Sequence, residues 1–140
     1  MMMADVVARS FRTAYLLTNS AEEAESAVVA GIESWNPEDE PGEALFHKVM
    51  TAALRRRRQW EPPVRTAGRV WLPEELRAVL TLAPQIRRCF VLRNLVGMSA
   101  KTCAPLLGLL PNQVDEYAGA AHRSLSAFSK QSNTYTARPS

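Results

Sequence analysis

Apolar residues recur at steps of three and four along most of this chain. Val6, Val7, Phe11, Ala14, Tyr15 and Leu17 predict an amphipathic helix over 4–18. Thr18-Asn19-Ser20 breaks it, and Ser20 followed by Glu23 forms a capping-box signature for a second helix over 21–35. Ala24, Ala27, Val28, Gly31, Ile32 and Trp35 lie on one side of that helix. Residues 36–43 hold two prolines, a glycine and four carboxylates, and read as a loop. A third helix is predicted over 44–58, with Leu45, Val49, Ala52 and Ala53 inward. It ends in Arg55, Arg56, Arg57 and Arg58, where cations suit the negative end of the helix dipole.

The pattern then lapses. Residues 59–72 contain Pro62-Pro63 and Gly68 between Trp60 and Trp71, the composition of a linker. Pro73-Glu74-Glu75-Leu76 opens the next helix, whose apolar side is Leu76, Val79, Leu80 and Leu82. A further helix from Pro84 carries Ile86, Cys89 or Phe90, Val91 and Leu95, and stops at Gly97, where a residue tolerant of left-handed dihedrals is needed. Ser99 is placed to cap a short helix that buries Cys103, Leu106 and Leu107 and ends at Gly108. Pro105 falls inside it, a position that costs about 3 kcal/mol and predicts a bent or shortened helix. Leu109-Leu110 form the turn. Pro111 begins a last helix with Val114, Tyr117, Ala118, Ala121 and Leu125 inward. From about 129 there is too little apolar surface to fold. The expected architecture is all-α, with two small helical domains at 4–58 and 73–128, a linker at 59–72 and a flexible tail at 129–140.

Composition narrows the function classes. The chain has 140 residues and a net charge of +3. The charge is unevenly spread: residues 1–54 sum to 3 − 9 = −6, residues 55–83 to 7 − 3 = +4, and residues 84–130 to 6 − 2 = +4. An acidic head with a basic rear points to nucleic acid. No apolar run is long enough to cross a bilayer, and the start lacks the order of a signal peptide, so a cytoplasmic location without membrane attachment is expected. Cys89 and Cys103 lie on apolar helix faces and read as small buried residues rather than a disulfide or metal pair. His47 and His122 have no evident catalytic or metal partners. No enzyme site and no cofactor are expected.

Two short helices, a glycine turn and a longer helix have the form of a helix-turn-helix module. Base reading would then fall to the exposed positions early in the last helix: Asn112, Gln113, Asp115 and Glu116. Asparagine and glutamine can pair with adenine, and acids can accept from cytosine. Phosphate contact would fall to Arg87, Arg88, Lys101, Thr102, His122 and Arg123, and to Arg55, Arg56, Arg57 and Arg58 at the end of the third helix.

The pieces Leu82 to Pro84, Arg93 to Ser99, Ala104 to Gly108, Val114, and His122 to Leu125 resemble region 4 of bacterial RNA polymerase sigma factors of the extracytoplasmic-function group. Phe11 to Trp35 followed by Ala44 to Arg58 resembles their region 2. The two matches cover most of residues 5–128. The resemblance implies promoter DNA and the RNA polymerase core as partners. It also places core docking on the second helix, through Glu25, Val28, Val29, Ile32 and Trp35. The sequence departs from the family at three places. Ala27-Val28-Val29-Ala30 stands where a polar glutamine-glutamate pair is usual. The acidic loop at 36–43 is short, and Asp115-Glu116 reverses the usual charge of the recognition helix. These departures leave three readings in competition. The chain is a working sigma factor, a duplex-binding regulator that does not initiate, or a degenerate interaction module engaging an anti-sigma factor or a second copy of itself.

Overall fold

The structure is a computed structural model that describes residues 3–36, 38, 42–56 and 72–136, with side chains from 4 to 127. Of the expected linker at 59–72, residues 59–71 lie outside the described residues, as do Arg57, Arg58, the side chains of the tail and all of 137–140, whereas Leu72 is buried. The fold is all-α, and the chain divides into two compact units, Met1–Trp71 and Leu72–Ser140.

The first unit is built from α1 (Met3–Thr18), α2 (Ala21–Ser34) and α3 (Glu43–Arg55), each packed against the other two. Asn19 takes a positive φ of 53° between α1 and α2, a conformation asparagine tolerates. Ser20 caps α2 as its spacing to Glu23 predicts, accepting from the Glu23 amide at 3.2 Å. The core is Val6, Ala14, Tyr15, Leu16 and Leu17 from α1, Ala24, Ala27 and Val28 from α2, and Leu45, Phe46, Val49, Met50, Ala53 and Leu54 from α3. Arg9 lies over the Phe46 ring at 4.2 Å and faces Glu43 at 4.0 Å, so its stem and charge both serve the α1–α3 seam. Ile32, expected inward, is instead 45 % exposed.

The second unit comprises α4 (Glu74–Val79), α5 (Pro84–Phe90), α6 (Ala100–Leu107) and α7 (Pro111–Thr136). At its C-terminal end α5 runs directly into a π-helical segment, Val91–Val96. Gly97 ends that segment at φ 88°, and the amides of Gly97 and Met98 both return to the Leu92 carbonyl. Gly108 closes α6 in the same way at φ 69°, with the amides of Gly108 and Leu109 returning to the Ala104 carbonyl. Ser99 caps α6 by accepting from the Thr102 amide at 3.2 Å. Pro105 does not break α6. It sits on the exposed side, where its ring meets no packed neighbour helix face and the lost backbone bond to residue 101 falls on an exposed turn. The helix from Pro111 also outlasts its expected end and continues to Thr136. Once a helix is nucleated, each added residue gains a backbone bond, and no proline or glycine intervenes between 120 and 136.

Cys89, Phe90, Val91, Leu92, Cys103, Ala104, Val114, Ala118 and Ala121 form the core of this unit. The central strip is α5 with its π-helical continuation. Every residue from 87 to 92 is buried, so the middle of this helix is enclosed all round rather than on one face, while Gln85, Asn94 and Leu95 towards its ends are exposed.

Gly31 sets the approach of α2 to α3. A Cβ there would stand 2.5 Å from Val49 Cγ2, 3.0 Å from the Val49 nitrogen and 3.1 Å from its Cα. Gly31→Ala therefore strains a backbone contact that side-chain rotation cannot relieve. Overpacking of about 1–3 kcal/mol outweighs a helix-propensity gain of up to about 1 kcal/mol. The denaturation midpoint of the Gly31→Ala chain is expected to fall. A raised midpoint in urea titration would mean that α2 and α3 pack further apart than this.

Candidate nucleic-acid interface

In the second unit α5 with its π-helical end and α6 both pack against α7, and short turns at Gly97 and Gly108 separate the three. The first turns of α7 face outward: Pro111, Asn112, Asp115 and Glu116 are exposed, while Val114, Ala118 and Ala121 anchor the opposite face. Leu110, 61 % exposed, stands at the tip of the turn.

Several residues expected to meet DNA are occupied inside the unit. Arg93 donates from Nε to Asp115 Oδ1 at 2.9 Å and from Nη1 to the Met98 carbonyl at 2.8 Å. Asp115 thus has one carboxylate oxygen engaged in an ion pair within the unit, and its side chain remains exposed. Gln113 Oε1 accepts from the Leu110 amide at 2.9 Å, the returning half of a capping box, which takes its side-chain carbonyl out of base reading. His122 packs edge-on against Phe90, with ring centres 5.4 Å apart, and its Nε2 meets Asn94 Nδ2 at 2.9 Å. It holds α7 to the π-helical segment while the residue itself stays exposed. Thr102 Oγ1 shares a hydrogen bond of 2.9 Å with the capping Ser99 hydroxyl.

Arg87 and Arg88 require the plainest correction. They are 1 % and 7 % exposed, and neither is without a partner. Burying a guanidinium unpaired costs several kcal/mol, so both groups serve the interior and neither reaches a phosphate. Lys101 and Arg123 remain exposed, as does Arg55 at the end of α3. Arg56 faces Glu23 at 3.9 Å. The Arg123 guanidinium lies along α7, within 3.6 Å of where a Cβ on Gly119 would stand.

The proposed docking helix divides in two. Val28 is buried, whereas Glu25, Val29 and Ile32 are exposed, with Glu22 and Glu33 beside them. Trp35 is half-buried, and its indole N–H is enclosed with no acceptor among the described residues.

Sequence reasoning passed over Arg93 and Asn94, which hold two anchor points on α7. Arg93 and Asp115 are 22 positions apart, and helical periodicity carries no signal over that distance.

No protein-family model matches the chain, and neither a curated protein nor a solved structure proved similar to it. Among the described residues no cluster of His, Cys, Asp and Glu is able to hold a metal ion, and no helix is long and apolar enough to cross a membrane.

Cys89 and Cys103 are both fully buried and free. Burial pushes the Cys89 thiol up to about 11, with the neighbouring Cys103 adding to the rise. Burial also raises Cys103, against a lowering by Arg93. The folded state holds the Cys89 proton after the unfolded chain, with its ordinary value near 9.0, has released it. Stability will therefore fall as pH rises from the unfolded value toward about 11, by on the order of 2 kcal/mol from this group. Unfolding titrations of wild type and Cys89→Ala between these limits check it. The variant is expected to lose part of the pH slope, and equal slopes would show that Cys89 is hydrated.

Proposed function

We propose that the chain is a sigma-factor-like transcription regulator. In this reading its helix-turn-helix presents α7 to promoter duplex, and the exposed part of α2 meets the RNA polymerase core. The observation that carries the reading is the outward-facing start of α7, propped on α5 and α6. It offers Asn112 and Glu116 to a groove, with Lys101 and Arg123 for phosphates. On α2, Glu25, Val29 and Ile32 provide a mixed acidic and apolar surface for the polymerase.

A second reading draws on a specific observation. The charge that would draw in a duplex is largely withdrawn: Arg87 and Arg88 are buried, and Arg93 is paired with Asp115. Glu116 adds a carboxylate to the same helix face. This favours a protein-interaction module, engaging an anti-sigma factor or a second copy of the chain, with little duplex binding. In either case the reading is of a binding protein, not an enzyme.

Salt dependence separates the two. With Lys101 and Arg123 as the phosphate contacts, log K will fall with log salt at a slope of about −2. Glu116→Lys will tighten binding and steepen the slope by about one. Fluorescence anisotropy on a duplex pool between about 50 and 200 mM salt measures both. An affinity no tighter than about 10⁻⁴ M, unmoved by Glu116→Lys, rejects duplex binding by this face. Co-purification with core polymerase, lost on Val29→Asp with Ile32→Asp, tests the α2 surface. Retention of those doubly charged chains on the core would remove α2 from the docking role.

A further inference from the structure

The π-helical segment holds α7 at two places. Arg93 grips Asp115 in the second turn of α7, and Asn94 meets His122 seven residues later, about two turns along. Both contacts come from consecutive residues. A π-helix bonds i to i+5 and so has more residues per turn than an α-helix, which brings neighbouring side chains closer in angle. Arg93 and Asn94 can therefore reach the same helix. Arg93 adds a third point, because its other arm holds the Met98 carbonyl just past Gly97. One rigid guanidinium thus ties the end of the π-helical segment, the turn before α6 and the start of α7 into a triangle. Lysine lacks the fork needed to satisfy two acceptors in this way.

We infer that Arg93 and Asn94 are positioning residues that set the axis of α7, with Asp115 and His122 as their anchors. The role of Asp115 follows from its partner. Its carboxylate points back to Arg93, so a change at 115 alters the tilt of α7 as well as its charge. His122 is held by the Phe90 ring in a T-shaped contact and by Asn94 at its Nε2, which limits rotation about the far end of the same span. Between the two anchors the buried side chains of α7 are small, Ala118 and Ala121, which allow close approach but offer little resistance to rocking. The polar points supply the direction that the small residues leave open.

The consequence for duplex reading rests on the function proposed above, whereas the clamp itself does not. Residual dipolar couplings on the full chain report the axis of α7 against that of α5. Arg93→Ala and Asp115→Ala are expected to turn the axis. Asp115→Asn, which keeps an oxygen acceptor for the Arg93 Nε–H, is expected to preserve it. In parallel, each chain is used to select from a randomised short-duplex pool. Wild type and Asp115→Asn are expected to enrich the same sequence. In Arg93→Ala the ratio of selected to unselected affinity is expected to fall about tenfold, the scale of one lost base contact. A simple loss of stability would lower the melting temperature without changing that ratio. An α7 axis unmoved by both alanine substitutions overturns the clamp. An axis that turns as expected, with no chain enriching any sequence, upholds the clamp and removes the duplex-reading proposal instead.

Discussion

The second unit depends on one guanidinium with two obligations. Arg93 bonds a backbone carbonyl in the turn and a carboxylate on α7, at 2.8 and 2.9 Å. Neither bond is strong where the side chains remain partly wet, and an exposed pair of this kind is worth about 0–1 kcal/mol. Its importance is geometric. The buried side chains that α7 presents to the core are Val114 and two alanines, small groups that offer little shape to fix an angle. Directional hydrogen bonds at the edge supply what the non-directional core cannot.

The same economy explains the electrostatics. A formal +4 over residues 84–130 reads as a nucleic-acid face in the sequence. In the folded unit two of those charges are enclosed and a third is neutralised by Asp115. Cations placed inside cannot release counterions from a duplex, so they contribute nothing to the salt-dependent part of affinity. The exposed remainder at the start of the module is small and mixed in sign. Any duplex affinity must then lean on groove contacts from the first turns of α7 more than on attraction to the backbone.

The first unit is governed by proximity rather than polarity. Gly31 lets α2 approach the backbone of α3, and the approach leaves the opposite side of α2 outward, with Val29 and Ile32 exposed among glutamates. Periodicity alone counts Ile32 as core because it shares the spacing of Ala24, Ala27, Val28 and Gly31. The geometry of the α2–α3 contact decides otherwise, since a glycine contact is narrow and does not extend to a residue one position further around the helix.

What the sequence determined by itself was local. Ser20 and Ser99 as caps, Gly97 and Gly108 as left-handed terminators and Pro111 as the first residue of α7 are all consequences of neighbours within a few positions, and all could be read directly. The burial of Cys89 and Cys103 was legible for the same reason. Side-chain roles that depend on a partner far along the chain were not. Arg87 and Arg88 looked solvent-facing because one-sided burial was assumed, and only the enclosure of α5 on every side places them within. Asp115 and Gln113 read as base contacts and His122 as a phosphate contact until Arg93, the Leu110 amide and Asn94 were brought beside them. Propensity and capping act along the backbone and are written in consecutive residues, whereas the engagement of a polar side chain is settled by whichever helix the fold packs against it.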